Sequence, residues 1–68
     1  MFTRSARNAQ QTRRFSIAST AAGWEVREER DSRLVRRVAY QDWHRVERAR
    51  RSITSELEQL REAGWTLE

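Results

Sequence analysis

Apolar side chains recur at about every second position from residue 13 to residue 40, and at every third and fourth from residue 43 onward. This change of period constrains the fold more than any other feature of the chain. A period of two belongs to a strand with one buried face, and a period near 3.6 to a helix lying on a core. In residues 13–19, Phe15 and Ile17 alternate with Arg14, Ser16 and Ala18. In residues 24–30, Trp24 and Val26 alternate with charged residues, and residues 34–40, Leu-Val-Arg-Arg-Val-Ala-Tyr, form a third strand. Thr20-Ala21-Ala22-Gly23 supplies the first turn, with Gly23 placed for a positive φ, and Asp31-Ser32 supplies the chemistry of the second.

The second loop can be assigned by parity. A two-residue turn at Asp31-Ser32 puts Trp24 beside Ala39 and Val26 beside Arg37, which mixes apolar and charged groups on both faces. A three-residue loop, Asp31-Ser32-Arg33, sets Trp24 opposite Tyr40, Val26 opposite Val38 and Arg30 opposite Leu34. That register gathers the apolar groups on one face, and a slip by one residue would scatter them. The odd loop is the expected one.

Asp42 is the expected N-cap of the helix, its carboxylate accepting from free N–H groups of the first turn. Trp43, Val46, Ile53, Leu57 and Leu60 then recur on one side, and Gly64 is the expected C′ residue. In the last four residues Trp65 and Leu67 face inward, and the segment suits a short edge strand. The fold class expected is α+β: a three-stranded antiparallel meander packed on one C-terminal amphipathic helix, with room for a short final strand. The expected core is Phe15, Ile17, Trp24, Val26, Leu34, Val38, Tyr40, Trp43, Val46, Ile53, Leu57, Leu60 and Trp65. Residues 13–68 form one small domain, and residues 1–12, polar and without apolar periodicity, are expected as a flexible basic tail.

Composition narrows the chemistry. A 68-residue chain buries only about 60% of its unfolded surface. It has no Cys for a disulfide or thiolate site and one His, too few for a zinc cluster. No metal or other cofactor is expected. The apolar runs are far too short to span a bilayer, so no membrane contact is expected. The lack of Cys suits a reducing compartment, and a cytoplasmic location is the expectation. The acid-free, Arg- and Ser-bearing start is also the composition of a mitochondrial presequence, which makes the matrix the alternative. Catalysis is not expected, because Asp42 and His44 do not face each other at a spacing of two and no nucleophile–base set exists. No small-molecule substrate is evident.

All 14 basic residues are arginines. Residues 1–22 hold Arg4, Arg7, Arg13 and Arg14 and no acid, whereas residues 23–68 balance ten Arg against eight Glu and two Asp. The formal net charge of +4 therefore belongs to the first third of the chain. If Phe15 pairs with Val26, Arg14 stands opposite Arg27, and Arg27 opposite Arg37. Three guanidiniums then form a row across the uncovered face of the sheet, with Glu25 and Glu29 on its diagonals. Like charges directly opposite repel, so such a row invites an anion, phosphate above all. The competing arrangement is an Arg–Glu lattice in which each Glu answers a neighbour. On the helix, Arg45, Arg48, Arg50 and Arg51 come early, and Glu56, Glu58, Glu62 and Glu68 follow in residues 53–68, a split that suits head-to-tail or antiparallel self-association.

A three-stranded antiparallel sheet followed by one packing helix, over residues 13–64, resembles plant AP2-type DNA-binding domains and the arm-binding domains of phage integrases. The resemblance lies in element order alone. It implies DNA contact through the exposed sheet face, where Arg14, Arg27 and Arg37 stand, although Trp24 falls on the core side and Glu25 and Glu29 would lie against a duplex. Leu60-Arg61-Glu62-Ala63-Gly64-Trp65 also resembles the helix end of WGR domains, whose Trp-Gly-Arg strand motif is absent. The expected function is a small non-enzymatic binding module. Nucleic acid is the first partner, contacted by Arg14, Arg27, Arg37, Arg4, Arg7, Arg13 and Arg45. A protein partner or a homodimer is the alternative.

Overall fold

The computed structural model describes residues 2–68; Met1 lies outside the described residues. Its elements are β1 (Phe2–Arg7), β2 (Thr12–Thr20), β3 (Gly23–Arg30), β4 (Arg33–Tyr40), α1 (Trp43–Glu62) and β5 (Thr66–Leu67). The α+β class and the helix packed on an antiparallel sheet are as expected from the pattern. The sheet, however, has five strands in the order β4-β3-β2-β1-β5. β1 replaces much of the expected tail: Phe2 pairs with Ile17, Arg4 with Phe15 and Ala6 with Arg13. Its polar sequence hides this role, because, of its helix-side residues Phe2, Arg4 and Ala6, only Phe2 and Ala6 are apolar, and Ala6 is too small to register as a hydrophobic anchor. Ala6 is nevertheless fully buried. Asn8 closes the β1–β2 hairpin with its Oδ1, which accepts from the backbone N–H groups of Gln10 (2.9 Å) and Gln11 (2.8 Å).

The β3–β4 connection departs from the odd loop and yet reaches the register that the odd loop was meant to provide. Arg30 pairs with Arg33 across a two-residue turn in which Asp31 (φ 52°) and Ser32 (φ 67°) are both left-handed. Such a turn matches the twist of the flanking strands. A bulge between Glu28 and Glu29 then inserts one residue on β4, and beyond it Val26 lies opposite Val38 and Trp24 opposite Tyr40. Turn geometry and hydrophobic parity are both satisfied, at the cost of Leu34, which pairs with Glu29 and is 47% exposed instead of buried.

The core consists of Ala6, Phe15, Ile17, Val46, Ile53 and Leu57, flanked by half-buried Phe2, Trp24, Val26, Tyr40, Leu60, Trp65 and Leu67. Trp43, expected inside, is 45% exposed and packs on Trp24 with ring centroids 5.2 Å apart. Both helix ends match their sequence signals. The Asp42 Oδ1 accepts from the His44 N–H at 2.9 Å. At the C-terminus, Trp65 N–H donates to the Leu60 carbonyl and Gly64 N–H to the Arg61 carbonyl, the paired bonds of a Schellman motif. The chain can then turn back, and β5 pairs with β1, Leu67 opposite Ala6. No helix among the described residues is long and apolar enough to cross a membrane.

Gly23 is required where it stands. Its φ is +147°, and a Cβ there would lie 2.3 Å from the Tyr40 carbonyl oxygen. Gly23→Ala is expected to destabilise the fold by about 2 kcal/mol or more through backbone strain and this clash. Urea unfolding followed by Trp fluorescence measures it, and an unchanged midpoint would contradict the account.

Candidate interaction surface

On the open face the expected row of three arginines does not form. Ile17, not Phe15, pairs with Val26, which places Ser16 opposite Arg27 and Arg14 opposite Glu29. The difference is a shift of two residues, and a shift of two leaves every side chain on its original face. Hydrophobic parity therefore cannot choose between the registers. Two local terms favour the observed one. It closes the turn at Ala21-Ala22 with Gly23 at the strain-tolerant position, and on the open face it sets Arg14 opposite Glu29, the Arg–Arg pair moving to Arg13 and Arg30 on the helix side, where Glu28 accepts from both. Arg27 and Arg37 do lie opposite each other, but Glu25 answers both, its carboxylate 3.4 Å from Arg27 and 3.7 Å from Arg37. The open face is closer to the Arg–Glu lattice than to an anion cradle.

The remaining expected contacts are scattered by the fold. Arg7 pairs with Glu68 at 2.9 Å. Arg4 is half-buried on the helix side of β1. Arg13 is turned inward beneath the helix, with only 13% of its side chain exposed. Its guanidinium donates to Glu28 of β3 at 2.8 Å and to Glu56 of α1, and lies over the Phe15 ring, 5.2 Å from the centroid. Its Nε is buried without a partner. Arg30 adds a second donor to Glu28 at 3.0 Å. Burial alone would lower the Arg13 pKa, but the hydrogen bonds and charges of Glu28 and Glu56 outweigh it and raise it. Burial likewise pushes Glu28 upward, while Arg13 and Arg30 overcome that push and hold it below the ordinary glutamate value. Arg13 is a structural tie between sheet and helix, not a free cation.

Among the described residues, Arg4, Arg14, Arg33, Arg36, Arg45, Arg48 and Arg51 have no carboxylate oxygen within 4.0 Å. Three of these converge. Arg36 of β4 and Arg45 and Arg48 of α1 line one groove of about 400 Å³ between the helix and the β3–β4 hairpin. Phe15, Val26, Val38, Tyr40, Ala49 and Ile53 supply its apolar lining, and Glu28 and Glu56 stand in it already paired with Arg13. Of the expected site residues, Arg45 and Arg27 line this groove, and Arg27 is already paired with Glu25. Arg36 and Arg48 were legible in principle. Arg36 shares the parity of Val38 and Tyr40, a charge on the core side of a strand, and Arg48 lies one turn beyond Arg45.

Comparison with protein-family models, with proteins of curated function and with solved structures returns no match. The groove must be read from its own chemistry.

Two measurements check the buried tie. Arg13→Met leaves Glu28 and Glu56 without their shared partner and is expected to cost about 1.5–3 kcal/mol, the range for hydrogen bonds to charged groups; equilibrium denaturation reads it. Glu28 has a folded pKa below its unfolded value. The stability it contributes is therefore complete above the unfolded value and is lost as pH falls through the folded one. The protein is expected to weaken between about pH 5 and pH 3, and Glu28→Gln to flatten that part of the profile. Identical acid slopes for the two proteins would refute the assignment.

Proposed function

We propose that the protein is a non-enzymatic interaction module whose partner is an acidic protein segment seated between β4 and α1. The observation that carries this reading is the convergence of Arg36, Arg45 and Arg48, none with a carboxylate within 4.0 Å, on a groove with an apolar floor. Arginine around a desolvated apolar patch is the composition of protein interface centres. A phosphate backbone would satisfy the arginines but leave the floor of Val26, Val38 and Ile53 unfilled.

Nucleic acid remains the second reading. It is favoured by the formal charge of +4 and by the seven arginines without carboxylate partners. Its contact set then moves from the sheet face to Arg33, Arg36, Arg45 and Arg48, on the β4 side of the molecule. The two readings separate on the floor of the groove, since only a protein partner needs it.

Fluorescence anisotropy discriminates between them, using a labelled Glu- and Leu-rich peptide and a labelled duplex of about twenty base pairs at low and physiological salt. The peptide is expected to bind and to keep most of its affinity in salt. Arg45→Glu with Arg48→Glu is expected to weaken it by about tenfold or more, roughly 1.4 kcal/mol. A duplex that binds more tightly than the peptide at physiological salt, and loses that affinity in the same variant, would establish the second reading instead.

A further inference from the structure

The groove exists because the helix layer is incomplete. Five strands spaced about 4.8 Å apart make a sheet about 20 Å wide, whereas a helix with its side chains is about 10 Å across. The chain leaves β4 at one edge and must return as β5 at the other. α1, at 20 residues about 30 Å long, therefore crosses the sheet obliquely. Its buried residues Val46, Ile53 and Leu57 follow that line, and the corner at the β3–β4 hairpin is left with Val26 and Val38 only half-buried. A sheet face of this kind is ordinarily covered by a second layer along its whole width.

We propose that a second helix completes the layer: an acidic amphipathic helix of a partner protein, lying beside α1 over β3 and β4. The proposal rests on the reading of this surface as a site for an acidic protein segment, and adds the form of that segment. Three observations point to a helix. The volume of about 400 Å³ suits a few aliphatic side chains spaced i, i+3 or i+4, and i+7, the anchors of a helix in a groove. Ala49 and Ser52 are the small residues on the groove side of α1, and they permit a neighbouring helix axis at about 8–10 Å. The alternative, an added strand on the β4 edge, meets a bulge and the charges of Arg33, Arg36 and Arg37, devices that protect an edge from pairing.

The acidic character follows from the charge left over. Glu28 and Glu56 are neutralised by Arg13 and Arg30 together, so Arg36, Arg45 and Arg48 set the potential of the groove. A second copy of this chain does not supply such a helix. The outer side of α1 carries Arg51, Thr54, Ser55 and Glu58 and offers no apolar stripe to fill the floor.

The test uses the full chain and three labelled peptides of identical composition apart from one residue, each about fourteen residues long, two turns of anchors with flanks. One arranges Leu on a single helical face with Glu beside it. The second scrambles the same residues so that the Leu side chains do not share a face. The third carries one central Pro in the first pattern. The patterned peptide is expected to bind about tenfold or more tightly than either control, and to shift the amide NMR signals of Val38, Ala49 and Ser52. Arg48→Glu and Ala49→Trp are each expected to weaken it about tenfold. Arg48 is exposed, so its variant is expected to retain the parent melting temperature even if the Trp variant does not fold. Equal binding of all three peptides would overturn the helix while leaving the acidic-partner reading intact. Binding of none of them would overturn both, as would signal shifts confined to the open face of the sheet.

Discussion

Arg13 is the tie on which the rest of the structure depends. It reaches from β2 to Glu28 on β3 and to Glu56 on α1, and its guanidinium rests on Phe15 at the centre of the core. A chain this short has little apolar area with which to dock a helix, and among the described residues only six are buried. A half-buried, doubly paired guanidinium adds direction to a contact that hydrophobic burial alone leaves loose. It also decides the charge of the neighbouring groove. Because Glu28 and Glu56 are spoken for, the arginines opposite them face the groove without answering charge.

Topology explains why that groove lies where it does. The meander ends at β4, and the short β5 pairs at the opposite edge, beside β1. One helix must make the whole crossing, and the Schellman turn at Gly64 lets the last residues reach β1. An oblique helix covers one diagonal of a sheet and leaves a corner. In this protein the bare corner coincides with the arginines of β4 and of the first turns of α1, so an apolar floor and a cationic rim arise from the same geometric necessity.

The β3–β4 hairpin shows how two local preferences are reconciled. The Asp31-Ser32 turn has the handedness that the strands require, yet its even length would misalign the apolar residues. The bulge at Glu28/Glu29 restores their alignment and exposes Leu34. Register beyond the bulge was legible because a slip of one changes faces. The register of β2 against β3 was not, since a slip of two changes none. That is why Arg14 was expected beside Arg27 and is found opposite Glu29. β1 escaped detection for a related reason: Ala6 anchors it by fitting under the helix, and small residues leave no periodic hydrophobic signal.

Taken alone, the sequence determined the strand–strand–strand–helix order, the turn at Gly23, the caps at Asp42 and Gly64, and which residues share a face. These depend on local backbone preference and on side-chain period, both of which act within a few residues. The tertiary structure alone decided which arginines are free. An ion pair depends on distances between residues far apart in the chain, and a shift of two along one strand exchanges partners without disturbing any local preference. Arg13, one of the expected basic contacts, became the internal tie, and Arg36 and Arg48, outside the expected contact set, became the rim of the groove with Arg45.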